Sequence, residues 1–220
     1  MAKHLYGGLL ILACAVAAPA GAAETWREKV TQFAADNFKH PAWGFSHSQR
    51  DYALAKSMAT ADHVTLDDDV IFAAAYLHDM AAFAAWSVPG QEHGDTAAAK
   101  IDLVLADTDF PKDKLDAVRE AVKAHMFYRN AATPEARYLH DADALDWLGA
   151  IGVARLIARV DPKGGKPTAP DMLKGIQDNM KLVPPRVLTP AGQALIAPRL
   201  AEEKAFLDVL SGETDGFKTL

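Results

Sequence analysis

Apolar residues recur at three- and four-residue spacing through most of the chain, which predicts helices rather than strands. Thr25 to Phe38 reads as a first helix, ended by His40-Pro41. His47 to Thr60 reads as a second, with Tyr52, Leu54, Ala55 and Met58 at helical spacing. Thr65-Leu66-Asp67-Asp68-Asp69 forms a cap region whose acids suit a positive helix end. Val70 to Ser87 is apolar on nearly every side, as a buried central helix is, and Pro89-Gly90 stops it. His93 to Ala106 and Lys112 to Tyr128 follow, the latter amphipathic through Leu115, Val118, Val122 and Met126. Thr133 caps the next helix, with Pro134 at its first position. Asp141 to Val160 is rich in Ala, Leu and Ile, Asp161 to Pro170 is a loop, and Thr189-Pro190 opens a last helix to Leu210. No stretch alternates polar and apolar for long, and no Asn-Gly or Asp-Gly hairpin separates β-branched runs. The fold class is all-α.

The first 23 residues are a different material. Leu5 to Ala23 carries no charge, Lys3 and His4 precede it, and Ala20-Gly21-Ala22 supplies small side chains near its end. This predicts a secretory signal peptide cut near Ala22 or Ala23, hence a periplasmic or secreted protein with no stable membrane span after cleavage. The alternative is a lipoprotein anchored through Cys14, in Ile11-Leu12-Ala13-Cys14. Cys14 is the only cysteine, so residues 24–220 require no disulfide and offer no thiolate to a metal. The chain has 220 residues, half of them apolar, and a net charge of −6. That balance suits one folded domain and argues against a nucleic-acid duplex as partner.

Beyond the first 23 residues, histidines stand at 40, 47, 63, 78, 93, 125 and 140. His78-Asp79 interrupts an otherwise apolar segment. An ionised aspartate buried there costs several kcal/mol unless a cation compensates it. A divalent metal ion is the most direct compensation; imidazole and carboxylate together suit Mn, Fe, Co, Ni or Zn. Neighbouring ligands on one helix diverge by about 100°, so other segments must complete a site. Two candidates are Phe45-Ser46-His47-Ser48-Gln49-Arg50, at a helix start, and Asp141-Ala142-Asp143-Ala144-Leu145-Asp146, read as the start of an apolar helix. His40 and His63 read as caps or surface residues, Asp141 as an ordinary cap, and Asp146 as a partner for a nearby arginine.

With these motifs the sequence resembles the HD superfamily of metal-dependent phosphohydrolases, and more closely its small bacterial hydrolases. The run Asp141 to Arg155 is similar to their last motif, His47-Ser48-Gln49-Arg50 to their first, and Leu77-His78-Asp79 to their His-Asp helix. Glu92 to Ala97 and the tail Asp178 to Leu210 extend the likeness over about residues 40 to 210. The resemblance implies a helical bundle in one HD-type domain over 24–220 with a C-terminal helical extension. It implies His47, His78, Asp79 and Asp143 as metal ligands, with Asp143 chosen over its neighbour Asp141. His93 and His125 would bind a second metal or contact phosphate. The implied activity is hydrolysis of a small phosphate monoester, diester or nucleotide by metal-activated water. Asp79 would orient the water, and Arg50 would bind a phosphate oxygen or pair with Asp141. Two alternatives accompany it: a di-iron oxygenase on the same fold, and a non-catalytic periplasmic binding module. Specificity would come from loops such as Trp86 to Glu92 and Phe127 to Thr133.

Overall fold

The computed structural model describes residues 24–220. The expected signal peptide, its cleavage site and Cys14 lie outside the described residues. The elements run α1 (Trp26–Asn37), α2 (Phe45–Ala61), α3 (Asp68–Leu77), a 3-10 turn Met80–Ala82, α4 (His93–Lys100) and α5 (Asp102–Leu105). A 3-10 turn Lys112–Lys114 leads into α6 (Leu115–Ala124), followed by α7 (Pro134–Leu145) and α8 (Gly149–Ile157). The chain ends with α9 (Ala169–Leu182), a 3-10 turn Pro184–Arg186 and α10 (Pro190–Glu213). No strand occurs among the described residues, and no described helix is long and apolar enough to cross a membrane.

Threonine caps set the entry of four helices. Thr25 accepts from the Glu28 amide while Glu28 returns to the Thr25 amide, a reciprocal capping box, and Thr168 with Asp171 repeats it at α9. Thr133 and Thr189 each cap a helix whose first residue is proline. The central element is α3, with every residue from Val70 to Leu77 buried. Packed around it are α1, α2, α6 and α7. Its acidic start stays near solvent, where Arg27, Lys56 and Lys114 hold Asp67, Asp68 and Asp69.

The helix expected over His93 to Ala106 is split at Ile101, and three further boundaries that differ from the sequence expectation lie at polar motifs. The central helix ends at Leu77, not Ser87. His78 caps it, and Asp79 leaves helical geometry at φ −92° and ψ 9°. A continuous helix would splay these two side chains apart; the turn brings both to one place. The helix expected to reach Tyr128 stops at Ala124, with His125 at its end. The Asp141–Asp146 motif closes α7 rather than opening a helix, and α8 starts anew at Gly149, whose φ of +75° favours glycine. In addition, α9 lies where the sequence announced no helix.

The C-terminal helix α10 lies against α8, with Glu203 over Gly152. Glu203 is fully buried and neither carboxyl oxygen has a hydrogen-bond partner. Burial pushes its carboxyl up from 4.5 to about 7. Between those values the folded chain keeps a proton that the unfolded chain releases, so stability falls as pH rises through that window. Glu203→Gln should therefore stabilise the protein at pH 8, on the order of 2 kcal/mol, and gain nothing at pH 4. Denaturant melts at the two pH values check this.

Candidate metal centre

His47 sits in the first turn of α2. The start of that helix depends on Gly44, where a Cβ would meet the backbone oxygens of His40 at 2.3 Å and Phe38 at 2.5 Å. His78 and Asp79 arrive from the end of α3, and Asp143 from the last turn of α7. Their polar atoms converge. His47 Nε2 lies 3.3 Å from His78 Nε2, 3.3 Å from Asp143 Oδ1 and 3.5 Å from Asp79 Oδ2. His78 Nε2 is also 3.5 Å from Asp79 Oδ2. Thus four side chains from three segments surround one small volume, and His47 and His78 are wholly buried.

A second layer orients them. Asp146 places Oδ2 2.8 Å from His47 Nδ1 and also accepts from Arg50 (2.9 and 2.8 Å) and from Arg155 Nη1 (3.0 Å). Against the cost of burial, the contacts with His47 and Arg50 hold the Asp146 carboxyl well below the usual range. His78 Nδ1 lies 2.9 Å from the Ala75 carbonyl, which can only accept. In each neutral imidazole these acceptors draw the proton to Nδ1 and leave the Nε2 lone pair facing the cluster. Without metal, and against burial, Asp51 raises His47 to about 10 and Asp79 raises His78, and these protonated rings hold Asp79 and Asp143 ionised, the first chiefly through His78 and the second through His47; a divalent cation would take the place of those protons. Lone pairs and carboxylates facing one another are the donor set of a divalent cation.

A second group adjoins the first. His93, the first residue of α4, and His125, at the end of α6, bring their Nε2 atoms to 3.3 Å. Asp79 Oδ1 is 3.4 Å from His93 and 3.9 Å from His125. Asp79 therefore offers one oxygen to each group, the arrangement of a carboxylate between two cation positions. Burial, then the neighbouring His78, lowers His125 to about 4, so it presents a neutral ring.

All six histidines and aspartates named from the sequence as ligands thus lie in one connected cluster. The geometry separates the neighbours Asp141 and Asp143. Asp141 accepts from the amides of Leu188 and Thr189 and from the Thr189 hydroxyl, so it ties α7 to the start of α10. Arg50 pairs with Asp146, not Asp141, and its guanidinium acts on His47 through that carboxylate. Sequence reasoning missed two contributors. Asp51 stands one turn after His47, with Oδ2 3.2 Å from His47 Nε2; its four-residue spacing was the available signal. Arg155 is buried to 1% exposure beside Asp146; it closes the motif that runs from Asp141, but that motif assigns it no role.

Comparison with known proteins bears on these motifs. Residues 44–148 match the family model of the HD domain. No curated protein matches the chain. Among solved structures, a Lactobacillus plantarum protein is similar at 21% identity and TM-score 0.63, covering 87% of this chain and 98% of its own. Bacillus subtilis YpgQ in complex with ADP is similar at 17% identity and TM-score 0.64, over 86% and 98% of the two chains. A protein of an uncultured Thermotogales bacterium, described as a predicted HD superfamily hydrolase, is similar at 21% identity and TM-score 0.60, over 84% and 91%. These likenesses agree with the all-α fold. The matched segment contains every histidine and aspartate of the cluster, and residues 44–148 form an HD domain.

Proposed function

We propose that this protein hydrolyses phosphate esters or anhydrides of small molecules. One observation carries the reading. A cavity of about 420 Å³ is lined by Asp79, Asp143, His93 and His125 together with Arg155, Arg159 and Arg186. Trp43, Phe127, Tyr128 and Trp147 complete it. Guanidinium groups recognise phosphate oxygens, and the aromatic walls suit a flat ring. The ADP held by the Bacillus subtilis neighbour has both parts.

His47, His78, Asp79 and Asp143 would hold the first cation, and Asp79, His93 and His125 a second. A bound divalent ion supplies water acidic enough to attack near neutral pH and a Lewis acid for phosphoryl oxygen. Asp146, with Arg50 and Arg155 behind it, fixes the His47 ring. Arg159 and Arg186, which line the same cavity, would bind and orient the phosphate. Without metal, the contact with Asp79 raises the pKa of His93; with only the first position filled, His93 would be free to serve as a proton donor. Its Nε2 then donates to the departing oxygen. With two ions bound, His93 is a ligand instead. The leader-like N-terminus supports export, so substrates would be met in the periplasm or medium.

The test is a panel of phosphomonoesters, phosphodiesters and nucleotides, with chelator-stripped protein reloaded with Mn, Co, Ni or Fe. Metal-dependent phosphate release is expected. Arg186→Ala should raise KM for the active substrate by about tenfold or more, the weight of one charge-assisted hydrogen bond. Binding without turnover across the panel would sink the hydrolase, leaving a binding module. Oxygen uptake with a bound substrate would select the oxygenase.

A further inference from the structure

We infer that Asp51 is an additional ligand of the first cation, so that this centre carries three carboxylates rather than two. The inference rests on the metal centre proposed above and deepens it. Asp51 follows His47 by four residues on α2 and therefore projects from the same face. Its Oδ2 lies 3.2 Å from His47 Nε2 and 3.6 Å from His78 Nε2, the two nitrogens that Asp79 and Asp143 also approach. His47, Asp51, His78 and Asp143 each place a ligand atom within 4.8 Å of all the others.

Asp51 is wholly buried, and neither of its carboxyl oxygens has a hydrogen-bond partner. A carboxylate in that condition is costly unless a charge compensates it. The nearby arginines are committed to other partners: Arg50 to Asp146, and Arg155 to Asp146, the Ala42 carbonyl and, at 3.4 Å, His47 Nε2. The imidazoles direct their Nδ1 protons to Asp146 and Ala75, so their neutral forms turn lone pairs, not donors, toward Asp51. What is left for Asp51 is a proton, on His47 Nε2, on His78 Nε2 or on its own carboxyl, or a metal ion shared with the two rings.

A third carboxylate changes which ion the site prefers. Oxygen-rich, higher-coordinate surroundings suit Mn(II) and Fe, whereas Zn(II) is content with four ligands. Asp51 is thus a specificity-determining residue for the metal, favouring manganese or iron over zinc.

The experiment compares the wild-type chain with Asp51→Asn, which keeps shape and removes charge. Direct titration measures Mn(II) and Zn(II) affinity, and the visible spectrum of the Co(II)-loaded protein reports coordination number. Asp51→Asn is expected to weaken Mn(II) binding about 100-fold, to affect Zn(II) less, and to intensify the Co(II) bands as coordination falls. Asp143→Asn serves as control. If wild type binds metal, Asp143→Asn loses it, and Asp51→Asn keeps Mn(II) affinity and the Co(II) spectrum unchanged, the inference fails while the centre stands. Asp51 is then only the charge partner of His47. If wild type binds no divalent ion, the centre itself fails and Asp51 with it. Melting of the metal-free proteins guards against misfolding; loss of Mn(II) in a variant that melts cooperatively at or above the wild-type temperature supports the ligand role.

Discussion

Asp79→Asn is expected to strip the protein of divalent metal and to abolish turnover together, by at least about a thousandfold in rate. Asp79 reaches both halves of the cluster, with Oδ2 3.5 Å from His47 and from His78, and Oδ1 3.4 Å from His93. Asparagine fills the same space but offers one weak oxygen donor where two charged ones stood. Its amide would also turn a donor toward nitrogens whose lone pairs serve the cation. His78→Ala should behave alike, because it empties the position opposite His47. Elemental analysis and turnover on the same samples decide the matter, with circular dichroism to show that helices persist. Turnover retained by either variant would remove the metal centre from the mechanism.

The helices were legible wherever the signal is local. Thr25 with Glu28, Thr133 with Pro134, and Thr189 with Pro190 mark starts in the chain and in space alike. The apolar run from Val70 announced the central helix, but not its end. That end is set by partners distant in sequence. His78 turns toward His47, which is fixed in turn by Asp146, and no pattern within the segment itself carries that information. The same holds for His125, which leaves α6 where its ring meets His93. Asp51 was overlooked for a different reason: its four-residue spacing from His47 was visible, its burial was not. In an amphipathic helix an aspartate reads as solvent-facing, and only the approach of α3 and α7 buries this one. The motif of three aspartates in α7 was visible, but their division of labour was not. Asp141 meets Thr189, Asp143 faces His47, and Asp146 faces the arginines.

Arg155 carries the second large prediction. Its guanidinium is 1% exposed and stacks over the Trp147 ring at 3.6 Å. Nε donates to the Ala42 carbonyl at 2.5 Å and Nη1 to Asp146 Oδ2 at 3.0 Å. One side chain thereby joins α8, the turn before α2 and the end of α7. Arg155→Met keeps apolar volume but leaves the Ala42 carbonyl without its donor and Asp146 with only Arg50 and His47. Breaking one side of a buried charged network typically costs about 3–5 kcal/mol, and that loss is expected in denaturant unfolding. Lysine at this position should recover less than half, since one ammonium cannot span both acceptors and stack. The diagnostic is the double variant. Asp146→Asn removes the charge that Arg155 compensates, so the double variant Asp146→Asn/Arg155→Met should be less destabilised than the sum of the single changes. Strict additivity would mean that Arg155 contributes packing alone. The same network holds the His47 ring, so Arg155→Met should also weaken metal binding about tenfold or more, as loss of a supporting partner does elsewhere. A destabilised protein that still binds metal with wild-type affinity would separate the fold's need for Arg155 from the site's.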